Sequence, residues 1–79
     1  MTDEELLARI AIDPQVMAGK PVIRGTRLTV ETILDRLAHG DTRENILGEH
    51  GKLVPEDIQA CLLFATRSLA ETTFMPLAV

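Results

Sequence analysis

Three cations placed close together form the strongest chemical pattern in this 79-residue chain. Lys20, Arg24 and Arg27 lie within eight positions, and the stretch from 14 to 30 contains no acidic residue. The rest of the chain is acidic, because the total formal charge is −4 at pH 7. A short basic segment on an acidic protein favours a local contact with an anionic partner over attraction by the whole molecule.

Nucleic acid is one such partner for the basic segment. Arginine side chains bind phosphate oxygens and also enter grooves, so we predict a binding surface formed by Lys20, Arg24, Thr26 and Arg27. Stacking on unpaired bases is disfavoured, because the chain has no Trp or Tyr and only two Phe. The alternative is that these cations pair with acidic groups of the same protein or of a second subunit.

Catalytic and metal-binding patterns are not found in the sequence. We see no Ser-His-Asp spacing, phosphate-cradling glycine loop or paired carboxylates in an apolar context, so we expect no catalytic residue and no cofactor. His39 and His50 fall near predicted helix ends, where a helix dipole favours positive charge, and we expect no metal site there. Cys61 lies in an apolar helical stripe, which predicts a buried, unreactive thiol.

The composition predicts one small helical domain covering residues 1–79. The chain is 46% hydrophobic but only 3% aromatic, so its core must consist of aliphatic residues, which favours helices packed on helices. A monomer of this length would be marginally stable, and we therefore expect a homodimer. We divide the chain into a basic segment with a short N-terminal helix and β element (1–29), a helical bundle (30–71) and an apolar tail (72–79).

Hydrophobic periodicity predicts three helices after position 29. The first begins near Val30 and closes at Gly40, the second follows a cap at 41–42 and stops before Gly48, and the third runs from Pro55 to about Ala70. Short β-rich pieces occur before them, at 10–12, 21–23 and 27–29. The result is a mainly α protein whose helices follow the arrangement of a three-helix, helix-turn-helix bundle with a short N-terminal β element.

The third helix carries more apolar surface than a short bundle buries. One stripe contains Ile58, Cys61, Leu62, Ala65 and Leu69, and a second contains Ala60, Leu63 and Phe64. The apolar tail adds Phe74, Met75 and Leu77, and a tail of this kind either docks in the core or acts as an interaction peptide. We predict that Leu63, Phe64, Phe74, Met75 and Leu77 form a partner or dimer interface.

Helix-turn-helix folds place their last helix in the major groove of DNA. Here that helix begins with Glu56 and Asp57, which repel phosphate, and Gln59 is left as the residue that could contact an adenine edge. The sequence has no apolar run long enough to span a bilayer and no signal peptide, and its single cysteine is compatible with a reducing cytoplasm. We therefore expect a cytoplasmic protein without membrane contact.

Several of these residues together resemble one known family. They are Ile12-Asp13-Pro14, the block Gly19-Lys20-Pro21-Val22-Ile23-Arg24-Gly25-Thr26-Arg27, Val30 with Gly40, and Leu53 with Pro55-Glu56-Asp57-Ile58. The pattern is similar to the domain-of-unknown-function 433 family, over 10–65. This chain departs from the family pattern at Val54, where a Ser or Thr cap is usual, and the change weakens the helix start by about 1 kcal/mol.

The resemblance implies a homeodomain-like helical fold related to VapB-type antitoxins. Such a protein would dimerise, cover the acidic metal-binding site of a PIN-like nuclease toxin, and repress its own promoter together with that toxin. A cation such as Arg24 or Arg27 would then neutralise the toxin's carboxylates. The alternative function, from a different class, is a homodimeric structural or interaction module that does not bind DNA.

Overall fold

The computed structural model describes residues 1–71 and contains four α-helices and one small sheet. In chain order the elements are α1 (Asp3–Leu7), β1 (Ile10–Ala11), a short 3₁₀ turn (Met17–Gly19), β2 (Val22–Ile23), α2 (Val30–Ala38), α3 (Arg43–Glu49) and α4 (Pro55–Ala70). The mainly α fold with an N-terminal β element is therefore confirmed. Among the described residues, no helix combines the length and hydrophobicity needed to cross a membrane.

Threonine side chains begin the first three helices. In each case the hydroxyl accepts a hydrogen bond from the backbone N–H three residues later: Thr2 from Glu5, Thr29 from Thr32 and Thr42 from Asn45. These bonds satisfy N–H groups that have no partner within the helix. At its other end α2 finishes at Ala38, and Gly40 takes the left-handed conformation (φ 89°) that the sequence predicted for that position.

The N-terminal sheet joins two segments that are distant in sequence. β1 and β2 pair in antiparallel fashion, with Ile10 opposite Ile23 and Ala11 opposite Val22, and Val22 also forms a bridge to Thr29. The connection between the strands contains a left-handed turn at Met17, Ala18 and Gly19, with φ of 49°, 57° and 82°. This conformation costs L-residues roughly 1–2 kcal/mol each, so the pairing of the strands has to hold the turn in place.

Helix α4 runs through the centre of the hydrophobic core. It contacts α1, α2, α3 and β1, and the largest fully buried side chains of the core are Ile33, Ile46, Ile58 and Cys61. Helix α3 continues through Gly48 to Glu49, although we expected it to stop before Gly48. Burial of the Ile46 side chain in the core stabilises this helix. A single helical glycine costs only about 1 kcal/mol relative to alanine.

The bundle leaves part of the apolar surface of α4 unburied, as the sequence predicted. Leu62 is 36% exposed and Leu69 is 68% exposed, whereas Ala60 from the second stripe is fully buried. All buried residues of α4 lie between Asp57 and Cys61, in its first half. The second half therefore extends past the part of the core that α3 and β1 cover, and it leaves apolar side chains at the surface.

Candidate functional site

The three predicted cations have different environments in the fold. Lys20 Nζ lies 3.3 Å from Glu31 Oε1, and both side chains are more than half exposed. An exposed ion pair of this kind contributes about 0–1 kcal/mol and breaks easily. Lys20 therefore remains available to an anionic ligand.

The Arg24 side chain is exposed but bonds to the backbone of its own chain. Its Nε donates a hydrogen bond to the carbonyl oxygen of Ala8 at 2.8 Å, and its Nη2 donates to that of Ile10 at 3.4 Å. Its backbone N–H also donates to the carbonyl oxygen of Arg9 at 2.7 Å. These carbonyls follow α1, where a positive charge is favourable because the helix leaves acceptors without partners. The hydrogen bonds of Arg24 therefore connect the end of β2 to the segment that leads from α1 into β1.

Arg27 has the opposite character. It is also exposed, but within residues 1–71 its side chain makes no hydrogen bond or ion pair. Thr26 shapes the loop that carries it: the Thr26 hydroxyl donates to the Ile23 carbonyl at 2.7 Å and accepts from the Leu28 N–H at 3.0 Å. Thr26 thus shapes the loop that positions Arg27. The Thr26 hydroxyl proton is already donated to Ile23, so it is not available to a ligand.

The structure brings Arg27 to a second cation that sequence reasoning missed. A cleft of about 360 Å³ is lined on one side by Thr26, Arg27 and Leu28, and on the other by the loop from α3 to α4, namely His50, Gly51, Lys52 and Leu53. Lys52 is exposed and has no side-chain partner in the part of the chain that the structure describes. We call this feature the cationic cleft. The sequence signal for Lys52 was a lysine next to glycine in a helix-connecting loop.

The acidic groups that precede the cleft in sequence are engaged elsewhere. The Glu49 carboxylate lies 2.7 Å from Arg36 Nη1, and Arg36 Nε donates to Asp41 Oδ2 at 2.8 Å. The hydrogen bond from Arg36, with a second from Asn45, holds the pKa of Asp41 below its usual value, and Glu49 together with Asp41 raises the pKa of Arg36. The negative charge of α3 is thus partly neutralised beside the cleft.

The start of α4 is less acidic toward solvent than its sequence indicates. Asp57 is only 6% exposed, its Oδ1 accepts a hydrogen bond from Arg9 Nη1 at 3.0 Å, and its Oδ2 accepts from the Val54 N–H at 3.0 Å. Asp57 therefore supplies a cap that Val54 cannot provide. Glu56 is half-buried, and Gln59 is exposed without a side-chain partner within residues 1–71.

A second concave surface is apolar. It encloses about 570 Å³ between α2 and the second half of α4, and we call it the α2–α4 groove. Its lining is Lys20, Pro21, Val30, Glu31, Leu34, Asp35, Ala38, Phe64, Ala65, Ser68 and Leu69. Of the predicted interface residues, Phe64 lines this groove, Leu63 is half-buried outside its lining, and Phe74, Met75 and Leu77 lie outside the described residues.

Cys61 is the buried thiol that the sequence predicted. Its side chain is fully buried, and burial together with the charge of Asp57 raises its pKa to about 12. The two histidines also take their predicted places, since His39 caps α2 and His50 caps α3. Within residues 1–71, no three His, Cys, Asp or Glu side chains lie close enough together to hold a metal ion.

Comparisons with known proteins agree with the residue pattern. A family model described as "Protein of unknown function (DUF433)" matches residues 10–65. Among solved structures, the crystal structure of a DUF433 member protein from Anabaena variabilis ATCC 29413 superimposes with a TM-score of 0.76. The two chains are 26% identical, and the match covers 86% of this chain and 67% of the other. A search of curated proteins finds no match.

Proposed function

The chain belongs to the DUF433 family, and we propose that it is an antitoxin-like regulatory protein that binds anionic partners through the cationic cleft. One observation carries the proposal. Arg27 and Lys52, which are 25 positions apart, line the same cleft and have no internal partner within residues 1–71. Exposed cations left unpaired on an acidic protein raise the local positive potential, which favours association with negative surfaces.

The first partner we propose is the active site of a PIN-like nuclease toxin. Such a site holds carboxylates around divalent metal, and oxygen ligands of this kind attract guanidinium and ammonium groups. Arg27 and Lys52 are free to enter it. Arg24, which the sequence offered as an equal candidate, would first have to give up its bonds to the carbonyls of Ala8 and Ile10.

The second partner we propose is the DNA of the protein's own promoter. Arg27 and Lys52 would bind phosphate oxygens, which fix position without selecting sequence. The inward orientation of Asp57 lowers the repulsion between α4 and the DNA backbone, and Gln59 remains available to contact a base edge. DNA binding and toxin binding would then share one cationic surface.

The test is a fluorescence-anisotropy titration of DNA from the upstream region, repeated at several salt concentrations. The chain is measured alone and with the product of any neighbouring gene that encodes a PIN-like protein. Arg27→Ala combined with Lys52→Ala is compared with Arg43→Ala, which removes an exposed cation of α3 outside the cleft lining. Each lost phosphate contact should lower the salt slope by about 1. An equal slope for wild type and the double variant would exclude the cleft from the interface.

A second candidate function is a homodimeric interaction module without DNA binding. The α2–α4 groove favours it, because apolar surfaces that persist on small folded domains are typical of protein contacts. Sedimentation equilibrium of wild type and Phe64→Glu tests this function. A dimer that becomes a folded monomer on substitution supports it, and a monomeric wild type excludes it.

A further inference from the structure

The cationic cleft differs in charge from three other concave surfaces of residues 1–71. Each of those surfaces holds a cation together with a carboxylate. Lys20 shares two of them with Glu31 and Asp35, and the third contains both Arg24 and Asp13. A carboxylate at this range weakens the attraction of a surface for an anion. The lining of the cationic cleft contains no acidic residue, so an anion bound there meets positive charge without an opposing group.

His50 adds a third nitrogen-bearing side chain to this cleft. It lines the cleft beside Lys52, on the side opposite Arg27, and it is half-buried. Its imidazole has no hydrogen-bond or ion-pair partner within residues 1–71. An imidazole changes its protonation state between about pH 5 and 8, and in the protonated form both of its nitrogens donate. Three side chains that can each carry a positive charge therefore line one cleft.

The loop that carries Lys52 also offers backbone donors. The N–H groups of Gly51 and Lys52 make no hydrogen bond within the described part of the chain. Gly51 does not have a positive φ, and a Cβ added there would meet no atom within 4 Å, so the fold does not require glycine at this position. A residue without a side chain lets a ligand approach the backbone closely. Unpaired loop N–H groups of this kind are donors suited to phosphate oxygens.

Apolar side chains border the charged groups. Leu28 and Leu53 line the same cleft, and Leu53 is only 7% exposed. Apolar walls lower the local dielectric constant and strengthen the attraction between the cations and an anion. The cleft volume of about 360 Å³ lies at the lower end of the range of small-molecule sites. It has room for a phosphate group and the part of the molecule that carries it.

We infer that the cationic cleft binds a terminal phosphate group as a dianion, with Arg27, Lys52 and protonated His50 as side-chain donors and the N–H groups of Gly51 and Lys52 as backbone donors. A phosphomonoester loses its second proton near pH 6, so at neutral pH its charge of about −2 matches several cations better than the single charge of a carboxylate or a phosphodiester. A small phosphorylated molecule and the end of a nucleic acid both present this group. The inference rests on the proposed function in one respect, that the cleft binds anions.

The charged groups around His50 set the direction of the pH dependence. Arg27 comes from the β2–α2 loop and Lys52 from the loop of His50 itself, and the preceding carboxylate, that of Glu49, binds Arg36. A bound dianion stabilises the protonated imidazole, so proton uptake and anion binding favour each other. The affinity for a dianion should therefore fall as pH rises.

The first experiment is an NMR titration of the ¹⁵N-labelled full chain with inorganic sulfate at constant ionic strength. Sulfate stays a dianion from about pH 5.5 to 8.5, so the pH dependence reports the protein alone. The dissociation constant of the wild type should rise at least about fivefold across this range. His50→Gln should bind weakly and without pH dependence. The control is His39→Gln, which removes the other histidine, outside the cleft lining, and should behave like the wild type.

A fixed charge separates binding from a purely structural role of His50. His50→Lys should keep its affinity for sulfate at high pH, whereas a structural role predicts equal loss in the lysine and glutamine variants. Circular dichroism checks that each variant is folded. The inference is overturned if the wild type shows no saturable sulfate binding, if its affinity does not change with pH, or if the pH dependence persists in His50→Gln.

The second experiment compares the two sources of a terminal phosphate. The probes are ribose 5-phosphate and one single-stranded oligonucleotide with either a 5′-phosphate or a 5′-hydroxyl, all at neutral pH. The phosphorylated oligonucleotide should bind about tenfold more tightly than the hydroxyl form. Equal affinity of ribose 5-phosphate and the phosphorylated oligonucleotide assigns the cleft to small molecules, and tighter binding of the oligonucleotide assigns it to nucleic-acid ends.

The same probes distinguish failure of this inference from failure of the proposed function. Equal affinities of the two oligonucleotides overturn the terminal-phosphate site. If both affinities still fall in Arg27→Ala/Lys52→Ala, the proposed function stands without it. If the double variant binds sulfate and both oligonucleotides as tightly as the wild type, the cleft is not an anion-binding surface and both are overturned.

Discussion

Two regions of this small domain use cationic side chains in opposite ways. In the first, Arg9 donates to the buried carboxylate of Asp57 and Arg24 donates to two backbone carbonyls. In the second, Arg27 and Lys52 line an open cleft with no internal partner within residues 1–71. The first pair holds elements together, and the second pair remains available to a ligand.

The availability of internal acceptors accounts for this difference. The C-terminal end of a helix and a buried carboxylate both require donors, since an unpaired buried polar group costs about 1–3 kcal/mol. Arg9 and Arg24 meet those needs. Neither Arg27 nor Lys52 donates to an acceptor within residues 1–71, and the neighbouring Glu49 carboxylate already binds Arg36. Cations of the same type therefore stabilise the fold in one region and face solvent in the other.

The largest predicted effect concerns the buried carboxylate of Asp57. Asp57→Ala removes both the partner of Arg9 and the cap of the Val54 N–H. We expect the free energy of unfolding to fall by about 2–4 kcal/mol, a large share of the roughly 4–12 kcal/mol typical of a domain this size. Urea denaturation followed by circular dichroism measures it.

Asp57→Asn is the matched control for this change. It keeps an oxygen that can cap α4 and loses the negative charge, so it should destabilise the protein less than the alanine variant. A loss below about 1 kcal/mol for Asp57→Ala would show that the buried pair contributes little, which is the result that a hydrophobic core acting alone would give.

The next effect concerns Arg24. Arg24→Ala should lower the free energy of unfolding by about 1–2 kcal/mol, because the carbonyls of Ala8 and Ile10 lose a charged donor whose side chain is partly exposed. Arg24→Lys should recover only part of this loss, since an ammonium lacks the forked geometry of guanidinium. Thermal unfolding of the three proteins compares them. Unchanged stability of Arg24→Ala would return this residue to the set of candidate binding cations.

A smaller effect should appear with pH at the Arg36 ion pairs. The pKa of Asp41 is lowered in the folded state by its bond to Arg36, so its contribution is complete above the ordinary aspartate value near 3.9 and disappears as pH falls through the lower folded value. Wild type should therefore be more stable than Asp41→Asn at pH 6, and the difference should close below about pH 4. Urea midpoints measured between pH 6 and 2 would contradict this prediction if the difference stayed constant.

The smallest predicted stability effect concerns the two cations of the cationic cleft. Arg27→Ala and Lys52→Ala, singly or together, should change the free energy of unfolding by less than about 0.5 kcal/mol, because neither side chain has a partner to lose within residues 1–71. The same urea series gives the value. A loss comparable to that of Arg24→Ala would mean that the cleft cations also belong to the structural framework.

The helices and the β element were predictable because their signals are local. Capping threonines, Gly40 and the apolar period each involve residues within a few positions of one another. The roles of Arg24 and Lys52 were not predictable in this way. The acceptors of Arg24 lie 14 and 16 positions before it, and Lys52 meets Arg27 only when the α3–α4 loop folds against the β2–α2 loop. The exposure of Leu62 and Leu69 likewise depends on how far the other elements extend along α4.

The most direct test of the central claim is an NMR titration of the ¹⁵N-labelled protein with a DNA duplex from its upstream region. The account predicts that the largest chemical-shift changes occur at Thr26–Leu28 and His50–Leu53, and that they shrink in Arg27→Ala/Lys52→Ala. Changes centred on Arg24 and the α1–β1 segment, or changes that the double variant leaves unaltered, would contradict the assignment of the cationic cleft as the anion-binding surface.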